Sequence, residues 1–208
     1  MKISLSKALS ASLSMCSIMS RLKLRPVGAL RWIKPTVFSL AMLSSGAHAG
    51  LQGTMFYEPA KQYGIDPALL YAVALAESAN AEAGMLQPWP YTLRVLTEPG
   101  HYARSRHDAE KVLQGYLQIH RSIDVGIMQV NTRWNGHRVD RVEDLLDPHV
   151  GLMVGAQILR EAIDSAPGDL VLGVGRYHNW QDEARARNYG ERVLAIYRNI
   201  KSIIGGGQ

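Results

Sequence analysis

Residues 50–208 of this chain are predicted to form a single, mainly helical domain, and three observations support this fold class. Two Asp-Pro pairs, at 66–67 and 147–148, each provide a helix N-cap followed by a proline at the first helical position. Apolar residues after both pairs recur at the spacing of one helical face. Proline and glycine concentrate in one irregular stretch, residues 85–106, and the sequence contains no internal repeat or second domain.

Residues 1–49 are predicted to be a secretory signal peptide with a long basic leader. They contain no acidic residue, and an apolar stretch at 37–43 precedes the small-x-small sequence Ala47-His48-Ala49, which is typical of a cleavage site. An uncleaved membrane anchor is the alternative, but the apolar run is too short to span a bilayer. Translation could also begin at Met15 or Met19. Seven basic residues lie in this segment: Lys2, Lys7, Arg21, Lys23, Arg25, Arg31 and Lys34.

The charge of the chain depends on this leader. The whole chain has 23 basic and 18 acidic residues, a net charge of +5. Without the seven basic residues of the leader, 16 basic residues face 18 acidic ones, a net charge of −2. A nucleic-acid partner is therefore not expected, because the high pI belongs to the leader. Cys16 also lies there, so residues 50–208 have no thiolate ligand, and their histidines show no metal-binding spacing. No metal or organic cofactor is expected.

The first predicted helix spans residues 68–79, after the Asp66-Pro67 cap, and a second spans residues 107–121. Residues 91–95, within the irregular stretch, are predicted to form a short strand. One face of the first helix carries Leu69, Leu70, Val73, Ala76 and Glu77.

Three further predicted helices follow Asp147-Pro148. The first runs to about residue 164, Asp169 caps a short apolar helix at 170–176, and the last helix covers about 182–203. The glycine-rich tail at 205–207 is predicted to be disordered. The inward-facing positions are Val150, Val154, Ile158 and Leu159 in the first of these helices and Tyr189, Val193, Ile196, Tyr197 and Ile200 in the last.

Glu77 is the first candidate for chemistry. It lies near the end of an apolar helix and is followed by Ser78. The negative end of the helix dipole and the apolar neighbours both raise the pKa of such a carboxyl group, which suits it to act as a general acid. The alternative is an exposed glutamate at the end of a helix.

A second cluster spans residues 126–131. Gly126 permits close approach of the backbone, Met128 offers a polarisable wall, and Gln129 and Asn131 offer amide groups suited to sugar hydroxyl and acetamido groups. The alternative is a buried turn with the methionine in the core. Trp134, just beyond, either stacks on a sugar ring or lies in the core.

A third cluster contains Tyr177 and Tyr189. Tyrosine hydroxyls near a catalytic carboxylate can orient the carboxylate or the substrate. The alternative is a pair of aromatic core residues whose polar ends reach a hydrogen-bond partner.

Together these motifs resemble the soluble lytic transglycosylases, a goose-lysozyme-like family that cleaves peptidoglycan. Glu77-Ser78 matches the family's first motif, residues 126–129 match Gly-Leu-Met-Gln with isoleucine for leucine, and Tyr177 and Tyr189 match the third and fourth. The resemblance covers residues 57–200 and is closest to small periplasmic members that accompany conjugation or type IV secretion machinery. It implies an all-α, lysozyme-like domain at 50–208 with a periplasmic location.

Two departures from the family pattern bear on the site. His178 stands where the family usually has asparagine. In addition, 48 residues (78–125) separate Glu77 from Gly126, which indicates an insertion at about 80–125. Its segment 88–106 is expected near the cleft, with a short β element at 85–106.

The resemblance implies peptidoglycan strands as the substrate, components of a secretion or conjugation machine as partners, and no membrane anchor after signal cleavage. Glu82 lies beyond the helix end and Asp124 is expected to be a structural turn residue, so neither is a convincing second carboxylate. Asn131 also replaces an aspartate that goose-type lysozymes often carry there. Non-hydrolytic cleavage by Glu77 alone is therefore expected. A hydrolytic muramidase and a non-catalytic peptidoglycan-binding protein are the alternatives.

Overall fold

The computed structural model describes residues 51–82 and 85–205. The predicted signal peptide and residues 206–208 of the glycine-rich tail lie outside these described residues. Gly205, which was predicted to belong to the disordered tail, is instead the last residue of the final helix. Within the described residues, none of the helices combines the length and the apolar character needed to cross a membrane.

The described residues are mainly helical, as the sequence predicted. Seven α-helices are α1 Tyr57–Gln62, α2 Pro67–Ser78, α3 Arg106–Ile119, α4 Thr132–Asn135, α5 Pro148–Asp164, α6 Leu170–Arg176 and α7 Glu183–Gly205. Two 3-10 turns cover Gly136–Arg138 and Val142–Leu146. The five predicted helices are confirmed with ends that differ by no more than a few residues, because their starts are set by local caps. Asp66 accepts from the Ala68 amide at 2.8 Å, and Asp147 accepts from the His149 amide at 2.9 Å.

Short strands form two antiparallel sheets. The strands are β1 Ala79–Glu82, β2 Met85–Pro88, β3 Thr92–Arg94, β4 His101–Tyr102, β5 Asp124–Val125 and β6 Val130–Asn131. β1 and β2 form a hairpin directly after α2, and the second sheet has the order β4-β3-β5-β6. The predicted strand at 91–95 is confirmed as β3. The expected β element at 85–106 is confirmed by β2, β3 and β4, and β1, β5 and β6 lie outside that stretch.

The hydrophobic core brings α2, α5 and α7 together with the second sheet. Leu70 and Val73 of α2, Leu159 of α5 and Val193 of α7 are fully buried in it, as is Leu93 of β3. Each such side chain stabilises the fold by roughly 1.5–3 kcal/mol through burial. The core therefore fixes the end of α2 against α7 and the β3-β5 pair.

A polar contact at the start of α2 sets its position along α7. The hydroxyl of Tyr197 donates to Asp66 at 2.8 Å, and the ammonium group of Lys201 lies 3.2 Å from the same carboxylate oxygen. Burial raises the pKa of Asp66, but hydrogen bonds from Ala68 and Tyr197 and the charge of Lys201 outweigh it and lower the pKa. Tyr197 lies two turns after Tyr189 on α7, so this contact joins α7 to the start of α2.

Candidate active site

Glu77 lies in the last turn of α2 with its side chain only 12 % exposed. Its Oε1 atom is buried and makes no hydrogen bond with the described residues. Burial raises the pKa of this carboxyl group, while the Tyr189 hydroxyl and the charges of Arg94 and Arg192 act in the opposite direction with less effect. The direction agrees with the sequence prediction. A carboxyl group that keeps its proton toward neutral pH can serve as a general acid.

Tyr189 of α7 brings a buried hydroxyl to this carboxyl group. The hydroxyl makes no hydrogen bond of normal geometry among the described residues, yet it is close enough to Glu77 to lower the pKa of that carboxyl. Burial and the neighbouring Glu77 raise the pKa of Tyr189 well above its ordinary value. Tyr189 therefore keeps its proton and can donate it in a hydrogen bond when Glu77 becomes ionised.

Tyr177 supports the site from the end of α6. Its hydroxyl donates to the carbonyl oxygen of Met128 at 2.7 Å. Burial, Glu77 and Asp124 raise the pKa of Tyr177 well above its ordinary value. The hydroxyl is thus committed to the Met128 backbone and links α6 to the turn between β5 and β6.

His178 follows Tyr177 and lies beside Glu77. Its Nδ1 atom is 4.0 Å from Glu77 Oε1. The imidazole stacks on the Tyr189 ring with centroids 4.8 Å apart and planes only 4° from parallel. Burial and then the Arg192 charge lower the pKa of His178, so the ring is neutral at pH 7. In the sequence, His178 stood out only as a departure from a family motif. That departure was the signal that could have identified it as a residue of the site.

Asp124 is a second carboxyl group near Glu77, which corrects the expectation that it is only a structural turn residue. It lies in β5 opposite Arg94 of β3 and accepts from Asn131 Nδ2 at 2.7 Å. Burial raises the pKa of Asp124 to about 6; the Asn131 hydrogen bond opposes this rise, and the charge of Glu77 adds to it with less effect. The proximity of Asp124 to Glu77 could not be predicted from the sequence, because antiparallel pairing, and not sequence proximity, brings β5 to the end of α2.

Ser78 is fully buried and forms part of the scaffold of the site. Its Oγ lies 2.8 Å from the carbonyl oxygen of Ile127 and 3.0 Å from that of Ala74. It also accepts from the Trp89 amide at 3.2 Å. These contacts join α2 to the turn at Ile127 and give Ser78 a structural role.

Gln129 and Gly126 shape the turn between β5 and β6. Gly126 has φ 79° and Gln129 has φ 46°, both in the left-handed region that costs a non-glycine residue energy. Gln129 Nε2 donates to the carbonyl oxygens of Gly126 at 2.9 Å and Thr92 at 3.0 Å. The predicted donor for sugar groups is therefore occupied by the backbone. Gln129 Oε1 is buried and makes no hydrogen bond with the described residues.

Met128 packs in the core, which is the alternative that the sequence left open. Its side chain is fully buried, and a Cβ atom added at Gly155 of α5 would lie 2.5 Å from Met128 Cγ. The predicted wall for a substrate is therefore not exposed, because the small residue on α5 leaves room for the side chain inside the protein. Only the carbonyl oxygen of Met128 reaches the site, through Tyr177.

Asn131 holds Asp124 and the next helix. Its Nδ2 donates to Asp124 and, at 2.8 Å, to Ser122 Oγ, while its Oδ1 accepts from the Arg133 amide at 3.1 Å. The predicted amide contact with sugar is thus occupied by protein partners. Trp134 is 65 % exposed, with the guanidinium group of Arg133 over its ring at 4.7 Å. This exposure excludes the core position for Trp134 and leaves its ring accessible.

A surface cavity of about 410 Å³ lies elsewhere on the domain, lined by residues that include Arg106, Arg138 and Asp140. None of the residues described above lines it, so we place the candidate site at Glu77 on chemical grounds. Within residues 51–82 and 85–205, no group of three or more histidine, cysteine, aspartate or glutamate side chains is arranged to hold a metal ion.

Comparison with known protein families gave one match. The family model described as "Transglycosylase SLT domain" matches residues 54–195. No match was found among curated proteins or among solved structures. The matched segment is more than half of the chain and includes Glu77, Asp124 and Tyr189. The chain therefore belongs to the transglycosylase SLT domain family, whose members are lytic transglycosylases that act on peptidoglycan.

Proposed function

We propose that this protein cleaves the β-1,4 bond between N-acetylmuramic acid and N-acetylglucosamine in peptidoglycan without water, leaving 1,6-anhydro ends. The observation that carries the proposal is the buried Glu77 carboxyl group, whose pKa is raised by burial, in a domain of this family. Backbone contacts and the hydrogen bond to Asp124 support the site, and the residues that make them are Ser78, Met128, Gln129 and Asn131. The carboxyl group lies among Tyr177 and Tyr189.

In the first step, Glu77 donates its proton to the glycosidic oxygen as the bond to C1 of the muramoyl residue breaks. The leaving N-acetylglucosamine gains a hydroxyl group, and positive charge develops at C1. The acetamido group of the muramoyl residue stabilises that charge. Glu77 is left as a carboxylate, and the hydroxyl of Tyr189, which has no other hydrogen bond of normal geometry among the described residues, is placed to donate to it.

In the second step, the Glu77 carboxylate accepts the proton of the muramoyl C6 hydroxyl. The C6 oxygen bonds to C1 and closes the anhydro ring, so Glu77 returns to its protonated state. No water is consumed, and no metal or organic cofactor takes part. One carboxyl group whose pKa lies near the working pH can serve both steps.

Asp124 is the observation that favours hydrolysis as a second candidate. The expectation of a transglycosylase rested partly on the absence of a second carboxyl group, and that reason no longer holds. An ionised Asp124 could hold an attacking water, as the second carboxylate of an inverting glycosidase does. Family membership supports the transglycosylase. A non-catalytic binding protein has no need for a buried carboxyl group whose Oε1 atom makes no hydrogen bond with the described residues.

We also propose that the enzyme works in the periplasm, where it opens the wall locally for a secretion or conjugation apparatus. The support is the signal-like segment at 1–49 and the resemblance of residues 57–200 to small transglycosylases that accompany such machinery. Fractionation of cells that express the full chain tests the location. Recovery of the protein only from the cytoplasm would contradict it.

Products released from purified sacculi by residues 50–208 test the reaction. We expect anhydromuropeptides, which mass spectrometry separates from hydrolysed products because the latter are one water heavier. Fully hydrated reducing ends would overturn the proposal in favour of a muramidase. Glu77→Gln should release no product while still binding sacculi, because the amide keeps the shape of the side chain and cannot donate the proton. Activity equal to that of the wild type in this variant would mean that another group is the acid.

A further inference from the structure

His178 is the strongest unassigned feature of the site, because it contacts both groups that the mechanism uses. Its Nδ1 lies 4.0 Å from Glu77 Oε1, and its ring stacks on Tyr189 with the planes 4° from parallel. The backbone fixes this position, since the His178 amide donates to the carbonyl oxygen of Gly175 at 3.0 Å at the end of α6. The imidazole is thus held between α6, α7 and the end of α2.

The atom of Glu77 nearest to His178 is the one that makes no hydrogen bond with the described residues. Glu77 Oε1 is buried, and a buried polar atom without a hydrogen-bond partner is costly. The 4.0 Å separation is slightly longer than a hydrogen bond. Contacts of catalytic groups are often long in the absence of substrate and shorten when it binds.

We propose that His178 is a positioning residue that holds the Glu77 carboxyl group in place and exchanges a hydrogen bond with it through Nδ1. The inference rests on the proposed function, because it assigns His178 a role through Glu77. When Glu77 is protonated, Nδ1 accepts its proton in a hydrogen bond. When Glu77 is ionised, the tautomer with a proton on Nδ1 donates to the carboxylate. The side chain is 38 % exposed, so the ring can change tautomer by exchange with solvent.

The charges around the imidazole make this arrangement sensitive to acid pH. The groups that face it are Glu77 on α2, Arg94 on β3, Asp124 on β5, and Arg185, Tyr189 and Arg192 on α7. The arginines oppose protonation of the ring and Asp124 favours it. An imidazolium carries a proton on Nδ1 and cannot accept the hydrogen bond from the protonated Glu77 carboxyl group, so this contact is lost at acid pH. The kcat should therefore fall on the acid side as His178 gains a proton.

Two variants separate the role of the nitrogen from the role of the stacked ring. His178→Phe keeps a flat ring on Tyr189 but has no nitrogen, so its kcat should fall by roughly tenfold to a hundredfold with little change in KM. His178→Asn keeps a group that can donate or accept, so it should lose less activity. It should also lose the part of the acid limb that belongs to the imidazole. Asp124 is present in both variants, so its own titration does not account for the difference.

His149→Phe is the matched control, because it makes the same substitution at an exposed position on α5. Its kcat and pH profile should equal those of the wild type. A wild-type kcat and acid limb in His178→Phe would overturn the inference. So would equal losses in His178→Phe and His178→Asn with an unchanged pH profile, because that result would indicate a purely structural role.

A titration of the Glu77 carboxyl carbon by NMR tests the contact without relying on activity. The pKa of Glu77 should be higher in His178→Phe than in the wild type, because the hydrogen bond donated to the ionised carboxylate is stronger than the one accepted from the protonated form. The rise should be smaller in His178→Asn. An identical Glu77 titration in all three proteins would overturn the inference even if the enzyme is active. If the titration shifts as expected but the wild type releases no anhydro products, the inference stands and the proposed function fails.

Discussion

Replacing Tyr189 by phenylalanine should separate stability from catalysis at this site. The hydroxyl is buried and has no fully formed hydrogen bond among the described residues, and an unsatisfied buried polar group costs about 1–3 kcal/mol. Its removal leaves the packed ring in place, including the ring's contact with His178. We therefore expect Tyr189→Phe to have a free energy of unfolding equal to or higher than that of the wild type.

The same change should slow the reaction. A hydrogen bond to a charged group contributes about 1.5–3 kcal/mol, and each 1.36 kcal/mol corresponds to about tenfold in rate. If Tyr189 donates to the Glu77 carboxylate as it forms, its loss should lower kcat by roughly tenfold to 150-fold. The high-pH limb of kcat should also move to higher pH. Activity requires protonated Glu77, and the Tyr189 hydroxyl lowers the pKa of that group.

The assays are product release from sacculi across pH and chemical denaturation. Tyr197→Phe on the same helix is the control, because its hydroxyl donates to Asp66 at 2.8 Å. That variant should lose about 1 kcal/mol of stability and keep its kcat. A wild-type kcat in Tyr189→Phe, or a marked loss of stability without a loss of kcat, would refute the reasoning.

Three further predictions concern the scaffold and its pH dependence. Burial raises the pKa of Asp124 to about 6. The wild type should therefore lose stability as pH rises from about 4 through 6. Asp124→Asn should remove about 2–3 kcal/mol of that loss at pH 8. Chemical denaturation of both proteins at pH 4 and pH 8 checks this. Glu77→Gln should likewise be more stable than the wild type at high pH and equal to it at pH 4, because the raised pKa of Glu77 disfavours the ionised folded state. Equal stability of the two proteins at high pH and at pH 4 would contradict the raised pKa. Gly126→Ala should lower the free energy of unfolding by about 3 kcal/mol or more, or prevent folding, because φ is 79° and the new Cβ would lie 2.2 Å from the Leu145 carbonyl oxygen. Gly115→Ala is the control, because Gly115 lies in open space on α3, and it should not destabilise the protein in this way.

The helices could be predicted because their ends depend on neighbouring residues. Asp66 and Asp147 each cap amides two residues away, so the signal lies within a short window of sequence. The strands were harder to predict, since most have only two to four residues and a period of two does not show over such lengths. β5 exists because Val125 pairs with Leu93 and Val130, and the first of these partners is far away in the chain.

The candidate site could be predicted only in part, because local motifs can be read from the sequence and contacts between distant segments cannot. Motif order identified Glu77, Tyr177 and Tyr189, whose roles stay predictions until the variants are measured. Asp124 and His178 were not assigned, because their importance lies in their distance from Glu77, and that distance depends on how β5 and α6 meet the end of α2. The sequence did carry a weak signal for each, since both stand beside a recognised motif.

The amino-acid sequence by itself determined the helical architecture and the apolar setting that raises the pKa of Glu77, because these depend on caps, periodicity and local composition. Tertiary structure alone decided which polar groups remain available to a substrate. Hydrogen bonds within the protein engage the Ser78 hydroxyl, the Gln129 donor and the Asn131 amide, and the Met128 side chain is buried. Burial and hydrogen-bond partners come from segments far apart in the chain, so no local pattern could reveal this division.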